Sequence, residues 1–291
     1  MRQAGAAWQL LREAAAAWQS DQVSSMGAAL SYYAAFSLAP LLLIVISLAG
    51  LLFGRDAAEG EVVAAVGGLA GAGGEDAVRG LLSHAGDFGS NALGFLVGVV
   101  TLLIGATSVF AELQSDMDRV WRAPPARGSG LFTLVRARVL SFGVVLALAF
   151  LLLVSLAINA ALAAFGRWWG GWLGAEAVVL AIANFAVSLA VTTALFAVIY
   201  KLLPRVRVAW HDVWIGALFT ALLFALGKAA IGAYLGRSGI ANGFGAAGSL
   251  VVIMVWVYYS AQLFLFGAEF TRVYAERHGS RRGASALTRP A

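Results

Sequence analysis

The chain has no cysteine, which removes disulfides and thiolate metal sites at once. Histidine is almost as scarce: His84, His211 and His278 are the only three, and no two lie four residues apart as a helical metal pair requires. A zinc hydrolase therefore lacks its ligands. No glycine-rich loop runs into Lys-Ser or Lys-Thr, so phosphate binding of the kind that drives ATP-powered pumps is unsupported. The expectation is no resident metal, no cofactor and no catalytic cluster. Charge is scarce too, at 12% of residues against 61% hydrophobic, with a mean hydropathy of +0.84. A soluble domain is about a quarter charged. A chain with so little polar surface to present to water needs a lipid-facing exterior.

The apolar residues fall in six blocks: Ala28–Phe53, Asn91–Ala111, Val139–Phe165, Ala177–Tyr200, Val213–Leu235 and Gly245–Phe270. Each reaches the roughly 20 residues that cross about 30 Å of hydrocarbon at 1.5 Å per residue. Nothing alternates with the period of two that barrel strands need. The fold class expected is all-α: a polytopic membrane protein with a six-helix transmembrane bundle over residues 28–270. The first block is too long for a signal-peptide core and no small-x-small site follows it, so it reads as a retained helix. Residues 1–27 precede the bundle, and within them Trp8, Leu11, Ala15 and Trp18 recur at helical spacing. Two placements fit this amphipathic helix: in the membrane interface, where Trp favours the headgroup level, or packed on the cytoplasmic ends of the bundle. Residues 271–291 form a short basic tail expected to be disordered.

Orientation follows from the basic residues. The net charge of +5 and a pI near 9.9 superficially suggest a nucleic-acid partner. With the N-terminus inside, fifteen of the twenty Lys and Arg fall in cytoplasmic segments, four fall outside, and Lys228 lies within a span. The excess is thus a topology signal that places both termini in the cytoplasm, and no nucleic-acid partner is expected. The outward loop 54–90 carries six acids against Arg55 and Arg79. Val62, Val63, Val66 and Leu69, then Val78, Leu81 and Leu82, predict two short amphipathic helices broken at Gly73 and Gly74, either a lid or a packing cap.

Candidate chemistry is confined to a few polar residues. Glu112, Asp116 and Asp118 close the second block. Glu112 and Asp116 share a helix face and could bind Mg²⁺, but Arg119 and Arg122 within one turn favour an ion-paired helix end. Lys228 lies eighteen residues beyond Trp210, about 27 Å along a helix and so toward the outer leaflet. A centred lysine costs about 3 kcal/mol, which makes function the default reading for a charge inside a span. Asn159 and Asn184 reach a similar depth. Tyr32, Tyr33, Thr107, Ser108 and Gln262 fall in the inner half, with Glu269 near the inner interface beside Arg272. These side chains either line a polar cavity between helices, suited to membrane lipids, an anionic lipid or a small solute, or act as interhelical hydrogen-bond glue. Gly94 and Gly98 add a G-x-x-x-G face, and Pro40 and the Gly239–Gly248 run allow kinks.

The stretch Ala28-Ala29-Leu30-Ser31-Tyr32-Tyr33, then Phe36-Ser37-Leu38-Ala39-Pro40-Leu41-Leu42, resembles the first-span signature of the YihY/virulence factor BrkB family. Val120-Trp121, Tyr200 with Pro204 and Trp210, Gly216-Ala217, Gly245-Ala246-Ala247-Gly248-Ser249, Trp256 and Gly267-Ala268-Glu269 follow in the family's order. The resemblance runs from about Asp21 to Tyr274, with Phe244 standing where the family usually has Tyr. It implies a bacterial inner-membrane protein of six helices. Relatives have been linked with virulence, resistance to serum killing and export of envelope lipids, and once with a tRNA-processing ribonuclease. The residues argue against that last activity, because no metal-hydrolase constellation exists.

Overall fold

Proline and left-handed residues punctuate the helices. The computed structural model describes residues 2–35, 37, 54, 56, 59–64, 75, 79–80, 108–124, 176–237 and 248–282. Every regular element among them is helical. Four long helices carry labels here: α1 (Arg2–Ser20), α2 (Glu176–Leu202), α3 (Trp210–Arg237) and α4 (Gly248–Arg277). Shorter helical stretches cover 23–35, 59–64 and 108–120. Gln22, at φ 56°, separates α1 from the helix after it, and Arg122, at φ 51°, closes 108–120 just before Pro124-Pro125. Two residues before Pro204, whose ring bars a further helical turn, α2 stops.

Three segments are long and apolar enough to cross a membrane: Ile182–Leu202, Trp210–Tyr234 and Leu250–Arg277. They correspond to the fourth, fifth and sixth expected blocks. The first three blocks lie mostly outside the described residues, although 28–35 and 108–111 within them are helical. In the expected outer loop, Gly54 adopts φ +87° and 59–64 is helical with Val63 buried. Glu75 and Arg79 pair at 2.8 Å across one turn. The break expected at Gly73-Gly74 lies outside the described residues.

On α3 the usual distribution of side chains is inverted. Between Val213 and Ala221 its buried positions carry compact or polar residues, Val213, Gly216, Ala217, Thr220 and Ala221. Its exposed positions carry Trp214, Ile215, Leu218, Leu222 and Leu226, the last 73% exposed. A water-facing helix would reverse this, whereas a helix in lipid gains close packing from small residues inside and loses nothing by large apolar ones outside.

The chain divides into two compact units. The first comprises Met1–Asp21, Met117–Ala225 and Phe266–Ala291; the second comprises Gln22–Asp116 and Leu226–Leu265. In the first unit, α1 buries Leu10 and Ala14, while Trp8 stays 68% exposed. The buried positions precede Leu11 and Ala15 by one residue. Because Ala14–Ala17 is a continuous alanine run, spacing alone could not choose between adjacent stripes. Glu13 of α1 forms an ion pair with Arg277 at the end of α4. In the second unit, Ile231 and Val252 are buried against Val255, Trp256 and Tyr259.

Candidate functional site

Several polar groups near helix ends are paired within the first unit. Two reciprocal notches set α3 against α4. Gly216 and Thr220 are one turn apart on α3, as are Gly267 and Thr271 on α4, and each threonine hydroxyl donates back to its glycine's carbonyl, at 2.7 and 2.6 Å. A methyl on Gly216 would overlap Thr271, and one on Gly267 would overlap Thr220 and the Tyr200 hydroxyl. Thr220 and Tyr200 are themselves hydrogen-bonded at 3.1 Å. Internal bonding by the threonines leaves no orphaned hydroxyl where the backbones approach. Gly216-Ala217 and Gly267-Ala268-Glu269 are thereby accounted for as contact surfaces.

Beside this crossing lies a cluster of charges. Glu269 is fully buried and Arg272 is 5% exposed. Arg272 donates from Nε (3.1 Å) and one terminal nitrogen (2.8 Å) to Glu269 Oε2, and from the other to both oxygens of Glu276 (3.3 and 3.1 Å). All three residues lie on α4 at i, i+3 and i+7, so one helix face presents the fork. Asp21, in the break after α1, brings a second carboxyl within hydrogen-bonding reach of Glu269. Arg122 lies 3.8 Å from Asp21 Oδ1.

Two further contacts tie connections to helix ends. Asp118 pairs with Arg205 at 3.3 Å and accepts the Arg205 backbone N–H at 2.8 Å. Sequence offers Arg119 and Arg122 to this acidic helix end, and the structure adds Arg205 as the partner of Asp118. Arg122, in its left-handed turn, lies near Asp21. Asp212, fully buried in the first turn of α3, accepts the backbone N–H (2.8 Å) and hydroxyl (2.6 Å) of Ser280. This closes the turn after α4 onto the start of α3. His211 Nε2 lies 2.7 Å from the other oxygen of the same carboxylate. Lys201 donates to the Val208 carbonyl and stands 5.3 Å over the Trp210 ring.

Among the residues expected to form a site, Glu269 belongs to this charged cluster. Lys228, Tyr32, Tyr33 and Gln262 belong to the second unit. Lys228 is half-buried on α3 and makes no ion pair among the described residues. Tyr32 and Tyr33 meet edge to face with ring centres 5.7 Å apart, Tyr32 being exposed. Gln262 donates to the carbonyls of Val23 (3.2 Å) and Ser24 (3.5 Å), and its amide packs where Gly27 has no side chain. Asn184 lies on the exposed side of α2 with Ile182 and Phe185. Asn159 lies outside the described residues. Sequence reasoning missed Asp21, and the signal available was its position beside the Gln22 break, where a helix end turns a side chain toward its neighbours.

Comparisons with known proteins find relatives that are membrane proteins. A UPF0761 membrane protein of Verminephrobacter eiseniae is 26% identical over 269 residues, covering 90% of this chain and 60% of that protein. The UPF0761 membrane protein YihY of Shigella boydii is 29% identical over 189 residues, covering 65% of this chain and 62% of the relative. A Pseudomonas aeruginosa homologue, UPF0761 membrane protein PA0951, is 29% identical over 175 residues, or 59% and 40%. The chain thus spans about 60% of the length of the first two relatives. No solved structure matches. The family model described as virulence factor BrkB matches residues 14–290, so this chain belongs to that family, whose curated relatives are membrane proteins.

Proposed function

We propose that the chain is a bacterial inner-membrane protein with six spans and both termini cytoplasmic, and that it translocates an anionic lipid or similar anionic solute along a polar path between helices. The observation that carries the reading is the inverted surface of α3 with Lys228 on its inward stripe. The small buried residues Ala217 and Ala221, extended by two helical turns, lead to Lys228, while leucines occupy the opposite face. A charge kept within an apolar helix costs about 3 kcal/mol unless it is solvated or paired, so its retention there favours contact with an anionic group that passes. The buried cluster around Glu269 supports a second point of control at the cytoplasmic end. No protein nuclease is needed to explain either feature.

Lys228→Met removes the charge and keeps the length, while Lys228→Arg keeps the charge and alters its shape. In reconstituted vesicles, with transfer of a labelled anionic phospholipid between leaflets as readout, Lys228→Met should insert normally and lose transfer. Lys228→Arg should retain part of it. Unchanged transfer in Lys228→Met would mean that the lysine only reaches to the headgroups.

A further inference from the structure

The charged cluster contains two oxygens that its own donors leave unserved. Glu269 is completely buried, and both Arg272 bonds to it end on Oε2; Oε1 has no hydrogen-bond partner among the described residues. Asp21 accepts from the Ser20 hydroxyl on Oδ1 at 3.3 Å, and Arg122 approaches that same oxygen; Oδ2 is buried with no hydrogen-bond partner among the described residues. The two carboxyls are within hydrogen-bonding reach of one another. Ionised carboxylates only accept, so two of them within reach of one another repel and cannot serve each other's orphan oxygens. One proton resolves both faults, since a carboxylic acid donates a single O–H to the facing carboxylate. The other charged groups around the pair are Arg272 and Glu276 from α4 and Arg122 from the connection after 108–120. Arg272 divides its donors between Glu269 Oε2 and Glu276, and none reaches Glu269 Oε1.

We infer that Asp21 and Glu269 hold one proton between them, Asp21 Oδ2 to Glu269 Oε1, and that this pair is a proton-binding site which makes translocation pH-dependent. The proton joins the segment after α1 to α4. If the segments separate, both carboxyls meet water and the shared proton loses its second acceptor. Opening this end of the first unit and releasing the proton are therefore coupled, and acid favours the closed contact. The second half of the inference rests on the translocation reading above; the proton site itself does not.

Infrared difference spectroscopy on the full chain in lipid nanodiscs tests it. Glu269→Gln and Asp21→Asn each supply an amide N–H in place of the shared proton, so each variant keeps a donor across the gap. The wild type should show a protonated-carboxyl band near neutral pH that shifts in D₂O, and the band should be lost in both variants. Titration of the band in the wild type reads the same site should either variant fail to insert. Absence of the band, or its survival in both variants, would overturn the site. In vesicles, anionic-lipid transfer by the wild type should depend on pH, and transfer by Glu269→Gln should lose that dependence. A pH-independent wild-type rate with the band present would overturn the coupling alone. No transfer in any protein would contradict the translocation reading and leave the band to decide the proton site.

Discussion

Gly216 and Thr271 compete for one volume where α3 meets α4, and only the missing side chain on Gly216 lets Thr271 occupy it. The reciprocal pair, Gly267 and Thr220, repeats the arrangement one step along the crossing. Gly216→Ala should therefore destabilise the folded protein by overpacking, by about 1–3 kcal/mol. Thr271→Ala should recover part of that loss when combined with it. The non-additivity of the two changes, read from thermal unfolding in detergent, distinguishes a steric conflict from a general intolerance of alanine.

Asp212 and Ser280 give the second prediction. A buried carboxylate that accepts two hydrogen bonds from the turn after α4 fixes that turn to the start of α3. Asp212→Ala should free residues 278–282 and cost about 1.5–3 kcal/mol per charge-assisted bond at most. Limited proteolysis should cut this turn faster in the variant, and Ser280→Ala should give a smaller effect because the backbone N–H still donates. Equal cleavage in Asp212→Ala and wild type would show that the turn is held by other contacts.

Sequence and structure agree where the chemistry is local and part company where it is long-range. The helices α2, α3 and α4 were legible because length and hydropathy alone specify them, and Pro204 marks an end that needs no tertiary context. The Glu269–Arg272 pair was also legible, since residues three apart on a helix are neighbours. Asp21 was not, because its partner lies 248 positions away in the numbering and nothing in local spacing links them. Gln262 illustrates a different limit. A glutamine at the right depth suggests a cavity, while spacing cannot show that its amide nitrogen donates to the Val23 and Ser24 carbonyls beside Gly27. The antiparallel match of Gly216 to Thr271 and of Gly267 to Thr220 needs the register of two helices, which composition cannot supply.

Topology provides the third prediction. Reporter fusions after Phe53, Phe165 and Leu235 should read as external, and fusions after Ala111, Tyr200 and Phe270 as cytoplasmic, given the fifteen-to-four distribution of basic residues. A cytoplasmic reading for the 54–90 loop would defeat the six-span arrangement.

The purified protein should not cleave RNA with added Mg²⁺ or Mn²⁺. Such cleavage needs a metal-held activated water over a phosphodiester, and the sequence offers no cysteine and no histidine pair at helical spacing. Metal-dependent cleavage lost in Glu112→Ala or Asp116→Ala, with folding intact, would contradict this and turn attention to the helix end at 108–120.

Transfer of a labelled anionic phospholipid between leaflets addresses the central claim most directly. Vesicles containing the wild-type protein should make more than the outer-leaflet share of label accessible to an impermeant quencher, faster than protein-free vesicles and faster than vesicles with Lys228→Met. If the accessible fraction stays at the outer-leaflet share with well-inserted wild-type protein, for anionic lipid and for a small anionic solute alike, the translocation account is wrong.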